Sequence, residues 1–406
     1  MVARTRTQVS SFPGGGTAKR WLNGSLVSSF GPQAPIGEWT KSQCDDATGY
    51  LVDHTLSITH QSKASCQPLN GTILTSGNVR EYLNWMPNGL NSNTSHLTIF
   101  LDSDGVVATR TKALSNPSRA YVSVPNFLFE LKDLPGMIRD IGKLKLIGRR
   151  ARSLPHWQRG KPLTAKDAAN LQLSYQMGWQ PLISDLRRML DFQQKVDRRI
   201  NDLENLFVRN RGLRRVVGKE RAESSRRRGA PGMWKSTVNT SSNSTVESNL
   251  GVILTCRVEK YTSMEKWGSV RWTSTALPGT RYSSRQLSTL ARNLTFGLNH
   301  NPKALWDAIP WSWLVDWFTN VGDFLEANTN VIPVQCSNVC VMTHTRTEEV
   351  WSRTNFELEV HGGYGTKILE TKKRSLNAGI LSATFPFISG RQFSILGALA
   401  IQRIKR

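Results

Sequence analysis

Carboxylates are what this 406-residue chain most lacks: 30 Asp and Glu stand against 53 Lys and Arg, a formal charge of +23 with a pI near 10.3. Self-repulsion on that scale opposes compaction and points to a polyanionic partner, nucleic acid first. Cysteine is sparse as well. Five thiols (44, 66, 256, 336, 340) in so long a chain exclude a disulfide framework, and the Cys336/Cys340 spacing has no further Cys or His beside it to complete a zinc site. The first twenty residues, rich in Thr, Arg and Gly, lack the apolar run of a secretory leader. The most apolar stretch carries carboxylates at its centre, so no membrane span is expected. Catalytic patterns are missing too: seven scattered His (54, 60, 96, 156, 300, 344, 361) form no HExxH or other ligand spacing, and there is no GxSxG. The chain is read as a non-enzyme without metal or cofactor.

Tryptophan, by contrast, is concentrated. Four of 13 fall between Asn301 and Glu326, at 306, 311, 313 and 317. Asn301 and Pro302 fit an N-cap and a first helical residue, Pro310 should kink or restart the helix, and Trp313, Trp317, Val321 and Phe324 then recur at helical spacing. Ser312, Asp316, Asn320 and Asp323 form the remaining polar line. A face this apolar is expected to be buried. Asp316, and Asp185 upstream, are expected to be structural, paired with Arg or capping backbone groups, because a carboxylate among Trp and Leu needs a partner.

The order of patterns along the chain predicts an elongated α+β molecule, with an antiparallel β-sheet region and a helical bundle region, both discontinuous in sequence. Residues 1–39, with PGGG at 13–16, read as an irregular arm. Period-two alternation assigns residues 40–126, 234–275 and 335–386 to the β region, including a strand from Tyr50 and a hairpin turn at Asp104-Gly105. Helical spacing assigns 127–208, 285–330 and 389–406 to the helical region. Its longest pattern includes Leu171, Tyr175, Gly178 and Leu182 in the apolar stripe and is expected to kink at Pro181. Residues 209–233 form a basic, Arg-rich loop.

Charge is gathered in the middle. Residues 127–228 hold 24 Lys and Arg against 11 Asp and Glu, an excess of 13. The candidate phosphate-binding groups are Arg139, Lys143, Arg149 and Arg150 around the first helical stripe, Arg187, Arg188, Lys195, Arg198 and Arg199 along the next, and Arg211, Arg214, Arg215, Arg226, Arg227 and Arg228 in the loop. A solvated, mobile charge run is the alternative, but the adjoining cationic helix favours RNA phosphates, which the planar Arg fork suits. An RNA-processing enzyme is the other reading, and it would require a carboxylate or His constellation that these patterns do not supply.

Two segments carry a family resemblance. Pro310, Ser312, Val315, Asp316, Trp317, Val321, Gly322, Leu325 and Glu326 resemble the hallmark segment of the maturation proteins of small single-stranded RNA bacteriophages, the leviviruses; Gly178, Trp179, Pro181, Leu182, Ser184 and Asp185 resemble that family's other recurrent helical segment. The resemblance implies a minor virion protein, about one copy per particle, made in the host cytoplasm. Its helical region would face the phage genomic RNA, with hairpins of the 3′ region as targets, and its β region would face outward to a bacterial pilus. Coat protein dimers would be its neighbours in the shell. Some relatives also inhibit host cell-wall synthesis and cause lysis.

Overall fold

The computed structural model describes residues 2–48, 54–75, 77–121, 172–227, 232–236, 252–277, 280–298, 302–309, 312–353, 359–383 and 394–399, with the isolated positions 124 and 169. Seven strands come first: β1 (Val2–Phe12), β2 (Thr17–Leu22), β3 (Ser25–Phe30), β4 (Ile36–Thr48), β5 (Leu56–Ser62), β6 (Leu69–Thr75) and β7 (Asn78–Trp85). Helices α1 (Asn88–Asn91) and α2 (Asp104–Ser115) follow, then a π-helical turn, Ser174–Trp179, that runs into α3 (Gln180–Leu190), α4 (Phe192–Leu203) and a second π turn, Glu204–Val208. Strands β8 (Leu213–Arg227), β9 (Gly232–Ser236) and β10 (Val252–Ser274) precede α5 (Ser284–Phe296), α6 (Pro302–Ala308), α7 (Ser312–Phe318) and α8 (Val321–Asn328). The last described strands are β11 (Val334–Cys336), β12 (Val339–Arg353), β13 (Val360–His361) and β14 (Gly365–Asn377).

The fold is α+β, with antiparallel pairing wherever a register is described. It divides into two compact units, neither continuous in sequence. The first comprises Met1–Val107, Gly218–Gly268 and Cys340–Asn377, the second Ala108–Val217, Ser269–Val339 and Ala378–Arg406.

In the first unit the larger sheet runs β1-β4-β5-β14-β12-β10, with β8 and β9 also paired to β10. A five-stranded sheet runs β13-β6-β7-β2-β3 and encloses a core of Ala18, Leu69, Ile73, Tyr82, Trp85, Met86, Leu90 and Val360. A buried ion cluster ties α1 and the segment after it to β12 and β14. Lys367, 1% exposed, donates to Gly89 O (3.2 Å) and Ser92 Oγ (3.1 Å), pairs with Glu349 at 3.1 Å and lies over the Trp351 ring. Glu349 in turn accepts from Thr94 and, at 2.8 Å, from Trp351 Nε1. Burial pushes the Glu349 carboxyl up, but the Thr94 hydrogen bond and the Lys367 charge outweigh it and hold it below the usual carboxylate range.

Four sequence expectations change here. Residues 1–39 are not an irregular arm: they supply β1, β2 and β3, and β1 pairs with β4 from Val2↔Thr48 to Ser10↔Thr40. The glycines at 14–16 mark a close approach rather than disorder. Gly14 has φ 73°, and a Cβ on Gly16 would sit 2.2 Å from Asn84 O, so only glycine lets the chain pass. The 209–233 loop is largely strand, β8 and the start of β9, because an extended backbone spreads its cations to alternating sides and finds a partner in β10. The Asp104-Gly105 hairpin is instead the start of α2. Ser103 receives the Val107 N–H, and Asp104 sits in the first turn, where a carboxylate suits the helix dipole. Of the strand expected from Tyr50, residues 50–53 lie outside the described residues and β5 begins at Leu56.

Candidate nucleic-acid interface

In the second unit α4 organises a local group of cations. Lys195, Arg198, Arg199 and Asp202 step by three, one and three residues, so they share one side of the helix, while Val196 and Leu203 on the other side are buried. That apolar side is held against α5 by Phe192 stacked on Phe296, ring centres 4.2 Å apart. Helix α5 has fixed ends, a Ser283/Gln286 capping box at one and Gly297 in the left-handed conformation at the other.

Opposite α4 the loop after α2 is fastened by the Asn116 side chain and by its own backbone. Asn116 donates to Glu326 O (2.8 Å) and Thr329 O (3.0 Å), Tyr121 N donates to Thr295 O (3.1 Å), and the Arg199 guanidinium donates to Pro117 O and, at 2.6 Å, to Arg119 O. Burial pulls the Arg199 pKa below its ordinary value, only partly opposed by the Asp202 charge. Arg199 is therefore committed to holding the loop. Lys195 Nζ lies 4.5 Å from the centre of the Tyr121 ring, and Arg215 reaches from β8 to pair with Asp202.

Between these parts lies a cleft of about 660 Å³ lined by Arg119, Arg188, Lys195, Arg198, Arg199 and Arg215, with Tyr121 and one carboxylate, Asp202. Arg188 also lines a second depression of about 500 Å³ on α3, with Tyr175, Ile183, Arg187 and Asp191. A surface with six cations to one carboxylate attracts phosphate, and its planar guanidinium and aromatic groups suit RNA.

Of the candidates from sequence, Arg187, Arg188, Lys195, Arg198, Arg199 and Arg215 come together here. Arg211 and Arg214 are exposed but line neither depression; Arg214 donates to Ser269 Oγ at 3.3 Å. Arg226 and Arg227 have only their backbone in β8 described, and Arg139, Lys143, Arg149, Arg150 and Arg228 lie outside the described residues. The sequence reading missed Arg119 and Tyr121, whose signal was a basic and an aromatic residue two apart after an Asn-Pro turn. It also placed Tyr175 in the apolar stripe, whereas Tyr175 is 61% exposed.

The Trp-rich segment supports this unit from another side. It is three short helices, not one face continuing past Pro310, which itself lies outside the described residues. The break after α7 occurs because Thr319 bridges to Ala383 and Asn320 exchanges hydrogen bonds with Ser382. The face is also less buried than its composition suggests: Leu305, Ile309 and Val315 are exposed, while Ser312 is buried. Asp316 fastens the segment, accepting from Trp306 Nε1 (3.1 Å) and from Gly322 N (3.0 Å) at the start of α8. A Cβ on Gly322 would stand 2.6 Å from that carboxylate and 3.0 Å from Lys303 Nζ. Trp317 packs against the cluster of Ala169, Leu173, Ile395 and Ala398.

In the other recurrent segment, Gly178 and Trp179 belong to the π turn and Pro181 is the second residue of α3. The Gln180 N–H reaches back five residues to Tyr175 O, and this wider turn accommodates the proline's missing donor. Burial pushes the Asp185 carboxyl up, against the pull of Arg188 3.5 Å away. Among the described residues no group of three or more His, Cys, Asp and Glu could hold a metal ion, and no helix is long and apolar enough to cross a membrane.

Compared with known proteins, residues 147–364 match a family model described as phage maturation protein. That span holds α3, α4 and the whole Trp-rich segment. None of the curated proteins matches the chain.

Proposed function

The chain belongs to the phage maturation protein family, whose model covers more than half of it, and from that premise we propose that it anchors the genomic RNA in the particle through the cationic cleft of the second unit. Within the virion it takes a place in the shell beside coat protein dimers, about one copy per particle, and attaches the particle to a bacterial pilus through strands of the first unit. The observation that carries the RNA reading is the cleft itself: six cations and a tyrosine on a braced helix and loop, opposed by one carboxylate. Phosphates would seat on Arg119, Arg188, Lys195 and Arg198, and unpaired bases of hairpins in the 3′ region would supply selectivity.

A non-catalytic role fits the same geometry. Asp316 is spent on Trp306 and Gly322, and Asp185 lies beside Arg188, so neither stands as an acid–base group facing open space. The test is ultraviolet crosslinking within purified particles, followed by sequencing of RNA attached to peptides from residues 187–215. Crosslinks at a few defined genomic hairpins are expected. An even spread along the genome would reduce the cleft to charge neutralisation, and absence of the chain from particles would overturn the virion role.

A further inference from the structure

We infer that the depression on α3 takes an unpaired base of the bound RNA, with Tyr175 as the stacking face and Arg187 and Arg188 on the flanking phosphates. The inference rests on the RNA reading above and adds a chemical class to one part of that surface: a splayed-out base, not duplex. Tyr175 is 61% exposed and Ile183 42% exposed, although Leu173 two residues before the tyrosine is buried. An aromatic and a branched aliphatic residue left on the solvent side of a helix offer a flat apolar platform, and two exposed arginines line the same depression, Arg188 paired with Asp185 and Arg187 beside it, with Asp191 as the one lining carboxylate.

The π turn is what makes the platform. On a regular helix Tyr175 and Ile183, eight residues apart, would diverge by roughly 80°, and Tyr175 and Arg187 by roughly 120°. The wide turn from Tyr175 O to Gln180 N absorbs one extra residue. The effective spacings become seven and eleven, which leave each pair within roughly 20° of one face. Pro181, which has no N–H to give, favours that wide turn and so helps set the position of Tyr175. At about 500 Å³ the depression has room for one small planar group. A paired helix would keep its base faces stacked out of reach.

The experiment is fluorescence anisotropy on the full-length chain with three probes of one length: a hairpin with an unpaired loop, the same hairpin with abasic loop positions, and a fully paired duplex. Tyr175→Ala is expected to weaken loop-hairpin binding about ten-fold and leave duplex binding unchanged. Tyr175→Phe should stay near the parent, which also reports that the fold is intact. With the abasic probe, parent and Tyr175→Ala should bind alike. Arg187→Gln should lower the salt slope by about one without altering the loop-to-duplex ratio. Equal loss on loop and duplex, or no loss on either, overturns the inference while leaving RNA binding in place. Failure of the parent chain to bind any of the three probes would overturn the RNA reading itself and this inference with it.

Discussion

At the scale of single residues, two carboxylates show how a strongly basic chain uses its few acids. Asp316 satisfies an indole N–H and a helix-start N–H together, so Asp316→Asn must turn an amide donor toward one of two donors. The expected loss is about 1–3 kcal/mol of stability, read from urea unfolding of the full chain. Gly322→Ala places a methyl against the same carboxylate and should cost a similar amount, about 1–3 kcal/mol. Because both changes disturb one contact, the double variant should lose less than the sum of the two. Glu349 is the second case. Its folded pKa is depressed, so its contribution is present above the unfolded carboxylate value and is lost as pH falls through the folded one. Glu349→Gln would leave the Lys367 ammonium buried without its counter-charge and should cost about 3 kcal/mol at pH 7. Adding Lys367→Met should recover much of that, and the gap between Glu349→Gln and parent melting temperatures should narrow in acid; a gap that widens would assign the shift to another group.

At the scale of elements, α4 separates two kinds of arginine that sequence spacing cannot tell apart. Arg198 and Arg199 are neighbours in one basic run, yet Arg198 is exposed in the cleft while Arg199 holds the carbonyls of Pro117 and Arg119. Arg198→Gln is expected to leave the melting temperature within a degree or two and weaken RNA binding. Arg199→Gln should lower the melting temperature by several degrees, since a buried guanidinium bond to carbonyls is worth about 1.5–3 kcal/mol. It should also weaken binding indirectly, by loosening Arg119. Equal effects of the two on stability would refute the division. The cationic face of α4 was legible because i, i+3, i+4, i+7 spacing is local. The π turn before α3 was not, since the stripe was followed with one unbroken helical period while the turn shifts its phase by one residue, and Tyr175 was assigned to the wrong side. Strands β1 and β2 were hidden for a related reason: their partners β4 and β7 lie further along the chain, and glycines needed for close passage read as disorder; β3 pairs locally with β2 across Asn23-Gly24, a hairpin signal the reading passed over. The bond from Asp316 to Gly322 was anticipated in kind, as a buried carboxylate needing a donor, but not in partner.

At the scale of the whole molecule, the charge of +23 sets a behaviour that no single contact fixes. Not every cation of the cleft is available to phosphate: Arg199 is occupied by the loop and Arg215 is paired with Asp202. Arg119, Lys195 and Arg198 remain, with Arg187 beside them and Arg188 shared with Asp185. Neutralising about four or five phosphates of a single strand predicts a log–log slope of affinity against salt near −3. The paired change Arg119→Gln with Arg198→Gln should bring it to about −1.6, measured by titrating single-stranded RNA at several salt concentrations. Removing charge from the other unit, as in Arg4→Gln with Arg6→Gln, where both arginines pair with Asp46, should leave the slope unchanged. A slope that tracks only the total charge removed, wherever it is removed, would mean that the RNA is held by the general field of the chain and that the braced cleft has no special claim on it.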